Sequence, residues 1–124
     1  MQYNILIVED EADISVLLVN ILKEAGFGTI QAYSGTEAKL LLENHIPDLI
    51  LLDLMLPGMP GEELLWYIRE EKQYSMPILI LSAKTAVSHK VDLLKNGADD
   101  YITKPFEPEE VTARVEASLR RAGK

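Results

Sequence analysis

Residues 49–53 read Leu-Ile-Leu-Leu-Asp, a continuous apolar run that ends in an acid, and this stretch decides the fold. Two runs of the same kind lie on either side of it in the sequence, Ile-Leu-Ile-Val at 5–8 and Ile-Leu-Ile-Leu at 78–81. Continuous apolar runs of this length are typical of strands buried on both faces of a parallel sheet. Weaker patterns at 29–32 and 101–103 predict two more strands towards the sheet edges.

Helical periodicity occupies the intervals between the runs. The first predicted helix ends at Gly26, and the second opens with Ser34 and Glu37, a capping-box pattern. The third follows Pro60-Gly61, and the fifth begins near Pro108. The apolar stripes that we expect to face the core include Ile14, Leu17, Leu18, Ile21, Leu22 and Ala25 in the first helix and Val87, Val91 and Leu94 in the fourth.

A strand–helix order repeated five times implies a doubly wound α/β domain, with helices on both faces of one parallel sheet. The 124 residues fit one domain, spanning 1–124. Residues 120–124 look like a tail, and we interpret them as the start of a linker.

Composition narrows the class of protein. The formal net charge of −8 argues against direct contact with nucleic acid. The chain has no cysteine, and no apolar run approaches the roughly 18 residues that a membrane span needs. The N-terminus does not have the pattern of a signal peptide, so we expect a cytoplasmic protein.

Polar side chains follow the predicted strands at the points where the strands end. Glu9 and Asp10 follow the first strand, Asp53 the third, Ser82 the fourth and Lys104 the fifth. Ligands of open α/β sheets bind beyond the carboxyl ends of the strands. Taken singly, each of these residues is more often a turn, cap or surface residue. Their convergence on one sheet edge indicates a functional site.

Three carboxylates at one edge would repel one another, and a divalent cation would resolve that repulsion. Oxygen ligands of this kind suit Mg²⁺ or Mn²⁺. Beside such an ion a carboxylate can attack a phosphoryl group, and a positioned lysine can neutralise the transferring oxygens.

The sequence also resembles the receiver domains of two-component response regulators over about residues 4–121. Four ordered motifs carry the resemblance: Ile-Leu-Ile-Val-Glu-Asp at 5–10, Asp-Leu-Ile-Leu-Leu-Asp-Leu-Met-Leu-Pro-Gly at 48–58, Ile-Leu-Ile-Leu-Ser-Ala at 78–83 and Gly-Ala-Asp-Asp-Tyr-Ile-Thr-Lys-Pro-Phe at 97–106. It implies a flavodoxin-like sheet of strand order 2-1-3-4-5 with five helices. It also implies a phosphoacceptor switch rather than an enzyme in the usual sense.

The resemblance assigns the acidic residues their roles. Asp53 would accept the phosphoryl group, in a Mg²⁺-dependent reaction, from a phosphohistidine on a partner sensor kinase. Asp10 and Asp53 would hold the metal directly, Glu9 through water, and Met55 through its backbone carbonyl. Neither His45 nor His89 lies at the predicted site, and we interpret both as surface residues.

The other implied roles concern the switch. Lys104 would pair with phosphoryl oxygens, and the Ser82 hydroxyl would move towards the phosphoryl group on activation. Tyr101 would swing inward as Ser82 moves, and the Lys104-Pro105 peptide would be cis. Met55 and Lys84 would border the phosphoryl group and tune its lifetime.

The region from the fourth to the fifth helix is similar to receivers that precede winged-helix DNA-binding domains. That similarity implies an activated homodimer through helix 4, strand 5 and helix 5, and control of transcription by a following effector. The alternative is an ordinary solvated face, because Glu110 and Arg114 form an (i, i+4) pair. The residues implied in ion pairs between subunits are Lys90, Asp99, Asp100, Glu110, Arg114 and Arg121.

Other functions share parts of this pattern. A flavodoxin or a nicotinamide-binding domain would need a hydroxyl- or glycine-rich phosphate loop after the first strand, where this chain has Glu-Asp-Glu-Ala-Asp. A phosphatase with an aspartate nucleophile usually needs a second acid nearby, and Met55 stands two residues beyond Asp53. A docking module without phosphorylation would not need the acidic set and Lys104. Trp66 lies off the apolar stripe of its helix, which predicts partial exposure rather than a partner contact.

Overall fold

A computed structural model describes residues 2–83 and 87–124. Lys84, one of the two residues predicted to border the phosphoryl group, lies outside the described residues. Five strands form one parallel sheet of order β2-β1-β3-β4-β5, as predicted. The strands are β1 (Asn4–Val8), β2 (Gly28–Ala32), β3 (Leu49–Asp53), β4 (Ile78–Ser82) and β5 (Asp100–Thr103).

Five helices connect and cover the strands. They are α1 (Ala12–Glu24), α2 (Gly35–Asn44), α3 (Gly61–Trp66), α4 (Val87–Lys95) and α5 (Pro108–Arg121). Helix α3 continues without a break into a π-helical turn, Tyr67–Glu71, which the sequence did not predict. None of the helices in the described part of the chain is long and apolar enough to cross a membrane.

The core has two layers, one on each face of the sheet. One cluster packs β-strand residues such as Ile5 and Leu79 against α1 and α5. The other packs Leu6 and Ile80 against α2, α3 and α4. The apolar runs of β1, β3 and β4 therefore bury side chains on both faces, as their continuous pattern predicts.

The capping box at the start of α2 is confirmed with a small shift. The Glu37 backbone N–H donates to the Ser34 hydroxyl at 3.0 Å. The Glu37 carboxylate reaches back and accepts from the backbone N–H of Tyr33 at 2.6 Å. Both ends of the box are thus satisfied, and they fix where the helix begins.

Two predicted stripes need correction. In α4 Leu93 is buried, whereas Val87, Val91 and Leu94 are exposed. In α1 Leu17 is also exposed, at 46%. Both helices have apolar residues on more than one face, so periodicity alone could not select the face that packs on the sheet.

Residues 120–124, interpreted as a tail from the sequence, lie in the described part of the chain. Arg120 and Arg121 form the last turn of α5. The Lys124 ammonium pairs with the Asp48 carboxylate at 3.0 Å, at the amino edge of the sheet. The end of α5 is therefore held against the turn before β3.

Candidate phosphoacceptor site

The carboxyl edge of the sheet brings the predicted polar residues together. Asp53 is the last residue of β3 and is 1% exposed, and Glu9, directly after β1, is fully buried. Asp10 follows Glu9 and is exposed. One carboxylate oxygen from each of the three residues lies within 4.8 Å of the other two. Strand order places them there, because β1 and β3 are neighbours in the sheet.

Lys104 connects the two buried carboxylates. Its ammonium donates to Glu9 Oε1 at 2.8 Å and to Asp53 Oδ2 at 2.9 Å. Its backbone N–H donates to the Ser82 carbonyl at 2.9 Å, which continues the β4–β5 pairing past the end of β5. The Lys104-Pro105 peptide that follows is cis, as predicted. The side chain of Lys104 is therefore directed from the last strand across the edge to the first and third.

The remaining Asp53 oxygen is also bound. Asp53 Oδ1 accepts from the backbone N–H of Met55 at 3.0 Å. Met55 itself is 60% exposed. The Asp53 carboxylate is thus fixed in orientation by two donors on different oxygens.

Burial and the hydrogen bonds within the site act in opposite directions on the pKa of Lys104, and both affect the pKa of Glu9. The pKa of Glu9 is raised to about 7, with burial as the largest cause. The hydrogen bond from Lys104 acts against this rise, and the neighbouring Asp53 adds to it. Burial lowers the pKa of Lys104, but its bonds to Glu9 and Asp53 outweigh burial and raise that pKa overall. The site therefore keeps its lysine charged and favours added positive charge.

This charge balance suits a divalent cation. Three carboxylates and one ammonium leave an excess of two negative charges when all four groups are ionised. The donors on the protein side are carboxylate oxygens, the ligands that Mg²⁺ and Mn²⁺ prefer. One of the three acids is exposed, so the cluster is open to solvent on the side of Asp10.

The two predicted switch residues lie on β4 and β5. Ser82 ends β4, is fully buried, and is paired in register with Thr103. Tyr101 of β5 is buried in the layer that faces α4. The Lys90 ammonium lies 5.0 Å from the centre of the Tyr101 ring and donates to the Thr103 hydroxyl at 3.3 Å. This contact of Thr103 was not predicted from the sequence. The available signal was the position of Thr103 beside Lys104 at the end of a strand.

The predicted dimer-face residues make contacts within the chain. Arg114 binds both oxygens of Asp100, at 3.1 and 3.0 Å, and pairs with Glu110 at 3.1 Å. Asp99 accepts from Arg69 at 2.9 Å and from the backbone N–H of Ile78 at 2.8 Å. Arg121 donates to the Ser118 hydroxyl at 3.1 Å.

Comparison with known protein families shows which family this chain belongs to. The family profile described as response regulator receiver domain matches residues 5–116. The chain belongs to the response regulator receiver family. As a receiver domain it is a phosphoacceptor rather than a conventional enzyme, and proteins of this family partner with histidine kinases. The acidic cluster is typical of the Mg²⁺ site of receiver domains.

Solved structures agree with this assignment over the whole receiver domain. The receiver domain of the Francisella response regulator 1452 is 33% identical, with a TM-score of 0.91, and the match covers 98% of this chain and 99% of that one. A two-component response regulator from Clostridium difficile is 31% identical, with a TM-score of 0.92 and coverage of 99% and 100%. A CheY-like receiver domain protein from Methanospirillum hungatei is 29% identical, with a TM-score of 0.90 and coverage of 98% and 96%.

Proposed function

We propose that this receiver domain is switched by phosphorylation of Asp53, with a phosphohistidine of a partner sensor kinase as the donor. One observation carries the proposal. The Asp53 carboxylate is buried at the end of a central strand, held by Lys104 and Met55, and clustered with Glu9 and Asp10. Both oxygens of Asp53 accept a hydrogen bond, one from Lys104 and the other from the backbone N–H of Met55, and these two bonds fix the orientation of the carboxylate.

The residues that would hold Mg²⁺ are Asp10 and Asp53 directly, Glu9 through water, and Met55 through its backbone carbonyl. Mn²⁺ suits the same oxygen donors. When bound, the ion would neutralise charge on the phosphoryl oxygens and on the acids around them. The clustering of the three acids and the exposure of Asp10 support this assignment.

The transfer itself needs little covalent chemistry from the protein. A carboxylate oxygen of Asp53 forms a bond to phosphorus, the phosphorus–nitrogen bond to the donor histidine breaks, and the imidazole leaves with the electron pair. Lys104 keeps its charge beside Asp53 and would stabilise the phosphoryl oxygens. Because Lys104 already touches Asp53, it needs only a small movement to reach a group bound there.

Readout would begin at Ser82 and Tyr101. The Ser82 hydroxyl would hydrogen-bond the phosphoryl group, and Tyr101 would swing inward as Ser82 moves. Tyr101 is buried against the layer that contains Leu93 of α4, so a change at the site would reach that helix through the ring.

The output surface in this proposal is α4-β5-α5, through which activated copies would form a two-fold homodimer. Lys90, Asp100, Glu110 and Arg114 lie on these elements with their charged groups paired inside the chain or stacked on Tyr101. Dimer formation would exchange some of these contacts for equivalent ones between subunits. Such ion pairs would determine how the two subunits align more than how tightly they bind. The cell compartment would be the cytoplasm, and the process controlled would be transcription through a winged-helix effector.

The test is intact mass after incubation with acetyl phosphate, with and without Mg²⁺. We expect one added phosphoryl group that requires both Mg²⁺ and Asp53. Asp53→Asn should abolish it, whereas the exposed Asp13→Asn on α1 should leave it unchanged. A folded protein that gains no phosphoryl group under any condition would overturn the proposal in favour of a docking module.

A further inference from the structure

A second acidic feature lies between α3 and α4, away from the cluster at Asp53. It is a groove of ≈ 260 Å³. Its walls include Trp66 at the end of α3, Glu70 on the π-helical turn, and His89 and Asp92 on α4. Glu62 contributes from the first turn of α3. Nothing in the proposed phosphorylation chemistry uses these residues.

Trp66 is the aromatic residue that this groove exposes. Its side chain is 60% exposed, although tryptophan has a large apolar surface. Three tyrosines of the chain each have a lysine ammonium over the ring, at 4.5 to 5.8 Å from the ring centre: Tyr67, Tyr74 and Tyr101. Trp66 offers the most favourable ring for such a contact, yet none of the described residues places a cation on it.

The charges around the ring have the sign that a cation needs. Glu62, Glu70 and Asp92 line the groove, and no lysine or arginine of the described residues pairs with any of them. A basic group that faces them is the ring of His89, with Nε2 at 3.9 Å from Glu62 Oε2. Three carboxylates around an uncovered indole make a site that is complementary to a guanidinium or ammonium group.

His89 also lines the groove. Its Nε2 atom is buried and has no hydrogen-bond partner among the described residues. A buried polar atom without a partner is costly, and native structures usually satisfy such atoms. Because this nitrogen is itself buried, a group in the groove could reach it only after the His89 ring moved.

We infer that the α3–α4 groove docks a basic segment of a partner protein, with an arginine or lysine side chain stacked on Trp66 between Glu62, Glu70 and Asp92. The open groove admits a side chain presented by a peptide or helix, and the charge of its rim selects a cationic one. The inference does not depend on phosphorylation of Asp53.

The experiment uses the full chain and a short blocked alanine-arginine peptide. Trp66 is the only tryptophan, so its emission reports directly on the groove. We expect a saturable change in that emission, weakened by added salt, and none with a peptide in which glutamine replaces every arginine. Anisotropy of the labelled arginine peptide then measures affinity for variants.

Matched variants separate the groove from the overall charge. Glu62→Gln/Glu70→Gln/Asp92→Asn should weaken binding about tenfold, and Trp66→Leu about threefold. Glu24→Gln/Glu109→Gln/Glu116→Gln makes the same change of net charge on exposed positions of α1 and α5 and should change affinity less than about twofold.

Three outcomes would overturn the inference. If both triple variants weakened peptide binding equally, the peptide would be attracted only by the overall negative charge of the protein and not by the groove. A change in Trp66 emission with protein concentration alone, together with self-association, would assign the groove to a second copy of the chain. No saturable response to the arginine peptide would exclude a cation site at Trp66.

Discussion

At the scale of single residues, Lys104 is the residue that makes the acidic site possible. Glu9 and Asp53 are buried side by side, and burying two carboxylates without a cation is strongly unfavourable. One ammonium at 2.8 and 2.9 Å serves both. The same lysine therefore stabilises the resting fold and stands where the phosphoryl oxygens would be.

Lys104→Met should destabilise the fold when divalent ions are absent. We expect a loss of about 3 kcal/mol in the free energy of unfolding at pH 8, because the two buried carboxylates lose their only described cation. Added Mg²⁺ should restore part of that loss. Urea unfolding in EDTA, with and without excess Mg²⁺, measures both effects.

Lys23→Met is the matched control, because Lys23 is exposed at the end of α1. It should change the free energy of unfolding by less than about 0.5 kcal/mol. If the two variants were equally stable in EDTA, Lys104 would not be compensating buried charge.

Sequence reasoning predicted which acids converge but not how they are held. The positions of Glu9, Asp53 and Lys104 at the ends of strands could be predicted from the apolar runs that precede them. The bridge from Lys104 to both acids depends on side-chain reach across three strands, which periodicity does not encode. The pairing of Lys90 with Thr103 and the Tyr101 ring was missed for the same reason.

At the scale of secondary-structure elements, the helices differ in how well the sequence defined them. The start of α2 was predicted from Ser34 and Glu37, because a capping box is a local interaction. The buried face of α4 was predicted wrongly, since Leu93 and not Val91 or Leu94 packs inward. The π-helical turn after α3 has no signal in the sequence pattern.

A carboxylate of α2 binds two residues at that turn. Glu43 accepts from the Tyr67 hydroxyl at 2.6 Å and from the Lys72 ammonium at 3.2 Å. The hydroxyl of Tyr67, and then Lys72, lower the pKa of Glu43. The same contact and burial raise the pKa of Tyr67 to about 12, with burial as the larger cause.

Glu43→Gln should reduce stability in a way that depends on pH. A lowered pKa in the folded state means that ionised Glu43 stabilises the fold above its ordinary pKa of 4.5, and that this contribution is lost as pH falls through the lowered value. The variant should therefore melt below the wild type at pH 7 and converge with it at acid pH. Thermal unfolding across this range measures the difference.

Glu24→Gln on α1 serves as the comparison for that series, because Glu24 is exposed and ends its helix without a tyrosine partner among the described residues. A gap between Glu43→Gln and wild type that stayed constant down to acid pH would mean that the ionised carboxylate does not link α2 to the π-helical turn.

At the scale of the whole molecule, the topology determines what can meet. The chain passes from β2 over β1 to β3, so the acidic ends of β1 and β3 lie side by side. Strands β4 and β5 follow in order on the far side of β3. The fold class was predicted correctly from five strands joined by helices, which allow few arrangements, and the strand order was predicted correctly from the resemblance to receiver domains. Association between copies could not be derived in this way, since surface ion pairs serve a monomer and a dimer equally well.

Arg114 offers a direct test of association. Phosphorylated wild-type protein should sediment as a dimer at concentrations where the unphosphorylated protein is a monomer. Arg114→Ala should weaken that dimer, because it removes a charge that binds Asp100 and Glu110 at the proposed surface. Arg120→Ala, also on α5 and exposed, should retain it.

Sedimentation velocity over a concentration series distinguishes the possibilities. Wild-type protein that shows no phosphorylation-dependent association at any accessible concentration would exclude the proposed homodimer. Equal effects of the two arginine variants would place the interface elsewhere on α5 or outside it.

The most direct measurement of the central claim locates the phosphoryl group on the chain. Protein treated with acetyl phosphate and Mg²⁺ is reduced with borohydride, which converts an aspartyl phosphate to homoserine, and peptide mass mapping then finds the altered residue. We predict homoserine at position 53 alone, dependent on Mg²⁺. Homoserine at Asp10 or at another acid, or an unaltered Asp53 in protein that has gained a phosphoryl group, would contradict the account.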